Sequence, residues 1–280
     1  MIRLALNQNS CNNLTTREFI DYAKEFNGIE LNFKEIKKSI AQKFNLKDIM
    51  ETLESYKFKL CSIFELEDFS LCSQKDYKFK VLKDLNEILR FCYKLEADLL
   101  VVTPSKKIPE DPSIPKWRIL NKTKERLEDI AKIADKQDIN VGFEFTSEGS
   151  ISNLNEAKTV MNLLTYNENV GYIIDTFYLA IAEMDLEQIK SVKESIFLIQ
   201  LSDLKYVQES SESDQKNLKK AERAFPGEGV FEMKRFLKIA QAIGYKKEYS
   251  IELNEKIEFD NKKEHEDTIY KKFYRKFENI

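Results

Sequence analysis

Residues 196–203 read IFLIQLSD, an apolar, β-branched run of strand length that nevertheless carries Gln200 and ends on Asp203. Flanked by the charged stretch SVKES and by LKY, it reads as a strand buried on both faces, the kind found in parallel sheets. Seven further runs share its character: IRLAL from Ile2, GIELNF from Gly28, FKLCSIFEL from Phe58, ADLLVVT from Ala97, INVGFEF from Ile139, VGYIID from Val170 and EYSIEL from Glu248. Longer amphipathic segments separate them. Alternation of this kind predicts βα units around a parallel sheet, and eight of them predict one closed (β/α)8 TIM barrel, a single α/β domain over residues 1–280.

The intervening segments carry helix signals. TTREFIDYAKEF begins on a threonine cap and places Phe19, Tyr22, Ala23 and Phe26 on one face. NKTKERLEDIAKIADKQ and FEMKRFLKIAQAIGY behave alike, the latter stopping at Gly244. Two connections are irregular. PSKKIPEDPSIPKW, residues 104–117, holds four of the five prolines and predicts a stiff loop. LKYVQESSESDQKNLKKAERAFPGEGVF, residues 204–231, is long and charged, and its serine-rich middle predicts a mobile lid or a disordered tip. Both follow strands, so both belong on the carboxyl-end face where such barrels carry their sites.

Composition narrows the function. The chain has 280 residues, is 42% hydrophobic and 33% charged, and carries a formal net charge of −3. That balance lacks the basic stripe of a nucleic-acid binder. No apolar run approaches the ~18 residues of a membrane span, and MIRLALNQNS is too short and polar for a signal peptide, so a cytoplasmic location is expected. The four cysteines, Cys11, Cys61, Cys72 and Cys92, have no CxxC spacing and read as free thiols. The single histidine, His265, lies in the charged stretch KKEHEDTIYKK and reads as a surface residue.

Four polar side chains stand at the ends of the fifth to eighth strands: Glu144, Asp175, Gln200 and Glu252. A lone carboxylate at a strand end is usually a helix cap or an ion-pair partner. Three converging carboxylates repel one another, and a divalent cation resolves that conflict.

The strings VGFEFTSEGSISNLNEA, NVGYIIDTFYLA, LIQLSDLKY, RAFPGEGVFEMKRFLKIAQAIGY and YSIELNE resemble the sugar phosphate isomerase/epimerase superfamily. This is the xylose isomerase-like barrel fold that includes ketose 3-epimerases, inosose dehydratases and endonuclease IV. The resemblance implies one divalent metal held by Glu144, Asp175, Gln200 and Glu252. It also implies Arg223, ahead of the PGEG turn, as a holder of a substrate oxygen, with Tyr178 and Asp203 beside the substrate. Two positions depart from the pattern. Gln200 stands where the family usually has histidine in an HxxD motif, whose aspartate is Asp203, and Tyr178 stands where it has a second histidine. An amide oxygen in place of an imidazole shifts the expected metal from zinc toward Mg²⁺ or Mn²⁺. Tyrosine can donate to a substrate oxygen but is no base at neutral pH.

The activity implied is isomerisation or epimerisation of a sugar or related polyol by proton abstraction next to a carbonyl, with Glu144 and Glu252 exchanging the proton and a dehydratase variant open. A barrel that binds a sugar-like ligand or a partner without turnover is the alternative left by the two missing histidines. An endonuclease IV-like nuclease, which needs a histidine-rich three-metal cluster, fits least.

Overall fold

The computed structural model describes residues 2–106, 114–208, 219–254 and 268–278. Ten strands follow one another in the chain: β1 (Leu4–Asn7), β2 (Gly28–Asn32), β3 (Lys59–Leu66), β4 (Leu99–Val102), β5 (Asn140–Glu144), β6 (Val170–Asp175), β7 (Ile196–Leu201), β8 (Asp203–Gln208), β9 (Lys219–Ala224) and β10 (Tyr249–Ile251). Eight of them pair in parallel and close in the order β1-β10-β7-β6-β5-β4-β3-β2, with β2 returning to β1. The eight apolar runs of the sequence are these eight barrel strands. Helices cover the outside, as right-handed crossovers between parallel strands require.

Local chemistry sets the helix ends. Thr15 forms a capping box, accepting from the Glu18 amide at 3.3 Å while Glu18 accepts from the Thr15 amide at 2.9 Å. Phe19, Tyr22, Ala23 and Phe26 are all buried, as the spacing predicts. Gly244 follows helix Met233–Ala242 with φ +83°, a conformation that costs glycine nothing. In the proline-rich connection, Pro115 caps helix Lys116–Asp135, so Lys116 and Trp117 are helical and not loop. A proline is tolerated there because the first amides of a helix have no intrahelical acceptor.

The barrel lumen is divided. Phe64, Leu99, Val101, Ile173 and Leu198 form an apolar cluster of their own, separate from the main core between strands and helices. The side made by β1, β2, β3, β7 and β10 instead carries Asn7, Glu30, Ser62, Gln200 and Ser250, all buried.

The connection after β7 departs from expectation. Its two ends are not loop but an antiparallel hairpin, β8 against β9, in register from Asp203↔Ala224 to Gln208↔Lys219. β8, DLKYVQ, alternates for only four residues, and β9, KKAERA, is charged with no apolar period, so the strand signal is weak. The serine-rich middle expected as a lid lies outside the described residues, as does His265.

Candidate active site at the carboxyl end of the barrel

Glu144 ends β5, Asp175 ends β6 and Glu252 follows β10, so three strands of the barrel aim carboxylates at one mouth. One oxygen from each lies within 4.8 Å of the others. All three side chains are buried; Asp175 is 1% exposed. Burial, with the charges of Glu252 and Asp175 next in weight, pushes the Glu144 carboxyl well above the carboxylate range. Burial also pushes Glu252 up to about 7, against the pull of the neighbouring Arg223 guanidinium. Burial and the repulsion between like charges both favour the protonated form of a carboxyl.

Arg223 supplies the positive charge that this cluster faces. The β8–β9 hairpin folds it back over the mouth, where Nη1 and Nη2 donate to the two oxygens of Asp175 at 3.1 and 2.6 Å. Nη1 also donates to Ser202 Oγ at 2.7 Å, and Nη2 stands 3.6 Å from Glu252 Oε1. The guanidinium lies over the Phe177 ring at 4.6 Å and the Tyr178 ring at 5.3 Å. This planar, bidentate and stacked setting is one a lysine could not fill. Asp175 carries a further duty as the cap of helix Thr176–Ile181, accepting from the Phe177 amide at 2.9 Å. It is thus both cap and ion-pair partner, the two ordinary roles of a strand-end carboxylate.

Tyr178 is half-buried, and burial followed by the Glu144 charge raises its hydroxyl, which stays protonated. Gln200 is 1% exposed and lies opposite Asp175 in the β6–β7 register. Its Nε2 donates to Glu30 at 3.3 and 3.4 Å, while its Oε1 is buried without a hydrogen-bond partner.

Asp203 ties down the turn that follows the hairpin. Expected beside a substrate, it is fully buried and gives its oxygens to backbone amides: Leu204 at 2.8 Å, Gly227 at 2.9 Å and Phe231 at 2.9 Å. Those bonds pin the PGEG turn, where Gly227 has φ +78° and a Cβ on Gly229 would strike Leu204 O and Asp203 Oδ1. A carboxylate already accepting three amides is a structural anchor for the turn that follows Arg223.

Two residues of the site escape sequence reading. Asn9, in the turn after β1, donates Nδ2 to Glu252 Oε1 at 3.3 Å. Glu30, in the middle of β2, has no solvent exposure and accepts from Ser62 Oγ at 2.6 Å and Asn7 Nδ2 at 3.1 Å. A signal for Glu30 exists: a carboxylate between Ile29 and Leu31 in an otherwise apolar strand is the same anomaly as Gln200 in β7.

The donor set suits a hard divalent cation. Three buried carboxylates and an unpartnered amide oxygen are all oxygen ligands, and Arg223 offsets only one of the three charges. The cluster could therefore hold a metal ion.

The fold has relatives. An inosose isomerase of Bacillus velezensis is 21% identical over 212 residues, 75% of this chain and 72% of that protein. Among solved structures, a zinc-bound IolI protein superposes with a TM-score of 0.78 at 18% identity, over 90% of this chain and 89% of its own. A 3-keto-D-glucoside 4-epimerase from E. coli gives 0.72 at 13% identity, over 93% and 95%. A family 2 AP endonuclease from Brucella melitensis gives 0.70 at 17%, over 91% and 93%. The family model described as xylose isomerase-like TIM barrel matches residues 20–272, and the chain belongs to that family.

Proposed function

We propose that this protein is a divalent-cation-dependent isomerase or epimerase of a sugar or related polyol carbonyl compound. The observation that carries the reading is the convergence of Glu144, Asp175 and Glu252 at the carboxyl end of the barrel. Glu144, Asp175, Gln200 and Glu252 would hold the cation, and their oxygen donors favour Mg²⁺ or Mn²⁺ over zinc. When bound, such an ion supplies electrostatic stabilisation of the charge that builds on a substrate carbonyl oxygen as the neighbouring proton leaves.

The remaining chemistry belongs to the chain. Glu252, pushed up to about 7, takes and returns protons close to neutral pH. Glu144, raised by burial and by the Glu252 charge, delivers a proton from across the mouth. Tyr178 keeps its hydroxyl proton and can donate it to a substrate oxygen. Arg223, held flat between Asp175 and the two aromatic rings, would meet a second oxygen. Proton return to the opposite face of the same carbon gives epimerisation; return to the neighbouring carbon gives an aldose–ketose shift.

The test is solvent deuterium incorporation next to the carbonyl across a panel of ketoses and inososes with Mn²⁺ or Mg²⁺. Wild type is expected to incorporate label, and Glu252→Gln to lower the rate by about 10²–10⁴-fold. Label uptake that persists unchanged in Glu252→Gln removes Glu252 from the base role. No uptake with any member of the panel favours the second reading, a barrel that binds a sugar-like ligand without turnover. That reading draws on the Arg223 clamp, which already engages both oxygens of Asp175.

A further inference from the structure

Glu30 lies within electrostatic reach of the carboxylate cluster, raising both Glu144 and Glu252, yet it has no exposure to the mouth. Its two oxygens already accept from Asn7 Nδ2 and Ser62 Oγ. What remains of its acceptor capacity faces the Ser250 hydroxyl and Gln200, whose Nε2 stands 3.3 Å from one oxygen and 3.4 Å from the other.

That contact decides which way the amide points. The two ends of a glutamine amide have nearly equal size, so packing alone does not choose between them, and hydrogen bonding does. With Oε1 turned to Glu30, acceptor would meet acceptor; with Nε2 there, donor meets acceptor. The consequence is at the other end of the amide. Gln200 Oε1 is buried and has no partner, although buried amide oxygens are nearly always satisfied. The strand register places Gln200 beside Asp175 on β6 and beside Ser250 on β10, two residues before Glu252. An orphan acceptor there is a place for a cation or its bound water.

We propose that Glu30 is a positioning residue that captures the Nε2 end of Gln200 and so presents Oε1 as the neutral fourth donor to a cation held by Glu144, Asp175 and Glu252. This rests on the cation-dependent reading of the site. It explains how glutamine serves at this position. An amide offers a donor and an acceptor on opposite sides, and a fully buried carboxylate fixes which is which.

The experiment is titration of the chelator-treated full chain with Mn²⁺, followed by the electron paramagnetic resonance signal of the free ion. Wild type is expected to bind. Glu30→Gln offers both a donor and an acceptor to residue 200 and lets its amide reverse, so Mn²⁺ affinity should fall about 10–100-fold. Gln200→Met, which removes the oxygen while keeping the length, should lose a similar amount, and the double variant should lose no more than either single one. Mn²⁺ affinity of Glu30→Gln equal to wild type, or losses that add in the double variant, would overturn the positioning role. Absence of Mn²⁺ binding by wild type would overturn the cation-dependent reading and this inference with it.

Glu30→Gln buries a new amide, so a second measurement keeps the proposal testable if that variant does not fold. In Gln200→His, one ring nitrogen should donate to Glu30 and leave the other for the ion. Co²⁺ added to that variant should bind more tightly than to wild type and show a changed visible spectrum, the signature of a nitrogen ligand. A spectrum and affinity identical to wild type would show that residue 200 does not face the ion and would overturn the proposal.

Discussion

Glu252 and Glu144 hold their protons more tightly in the folded chain than an exposed carboxyl does, and this has a consequence for stability. A group whose folded pKa is raised stabilises fully below its ordinary value, 4.5 here, and that contribution is lost as pH rises through the folded value, about 7 for Glu252. Glu128 acts in the opposite sense: despite burial, its bonds to Thr165 hold it down at about 2, so its contribution is present above 4.5 and lost toward 2. The chelated protein is therefore expected to melt highest near pH 5 and lower at pH 8. Mn²⁺ should raise the melting temperature more at pH 8, above the Glu252 value of about 7, than at pH 5.5, where a proton competes with the ion; thermal melts with and without EDTA check both statements. Arg223 makes a second case. Its removal leaves Asp175 almost fully buried and without its bidentate partner, so Arg223→Met should cost about 3–5 kcal/mol in chelated protein. The same variant should gain more from Mn²⁺ than wild type does, because the ion then meets no competing guanidinium. Equal gains would show that Arg223 and a cation do not share the cluster.

At the scale of elements, the β8–β9 hairpin is what brings Arg223 to the mouth. β8 begins on Asp203, β9 ends on Ala224, and the turn that leaves the hairpin is tied back to Asp203 by the Gly227 and Phe231 amides. The hairpin and the turn thus share one buried acceptor. Asp203→Ala is expected to cost about 2–4 kcal/mol through three amides left without their carboxylate. Activity should fall further than stability explains, since Arg223 loses its fixed approach to Asp175. Asp203→Asn keeps one acceptor oxygen and should lie between the two. Chemical denaturation alongside the deuterium assay separates the effects; full activity in folded Asp203→Ala would show that the hairpin holds Arg223 without this anchor.

For the molecule as a whole, the two ends of the barrel do different work, as the fold dictates. The carboxyl end gathers like charges that oppose folding, whereas the amino end carries a satisfied network. There Glu248, with its side chain only 3% exposed, pairs with Arg3 at 2.6 Å and Lys59 at 3.2 Å just where β10 closes on β1. Glu248→Gln should destabilise by about 1–3 kcal/mol, less than a fully buried pair because both cations are half exposed. The turnover of the folded protein should not change. A drop in turnover in proportion to the drop in stability would mean that the two ends are coupled. No helix among the described residues is long and apolar enough to cross a membrane.

Much of this was legible without coordinates, and the reason is periodicity. Eight apolar runs separated by amphipathic stretches can bury their surfaces in few ways, so the barrel follows from the order of hydrophobic and polar residues alone. The strand ends followed too, and with them the meeting of Glu144, Asp175 and Glu252, because the end of a parallel strand fixes which face of the barrel a residue serves. Tertiary structure decided the rest. The part Asp203 plays in anchoring the PGEG turn exists only once that turn folds back on it. Glu30 looks like one more strand residue beside Ile29 and Leu31 until closure of the sheet brings it within reach of Gln200, 170 residues away. β9 is written as KKAERA, charged and with no apolar period, so nothing local announces that it pairs with β8. Burial is encoded residue by residue, but the partner of a buried polar group is chosen by which strands the closed barrel makes neighbours.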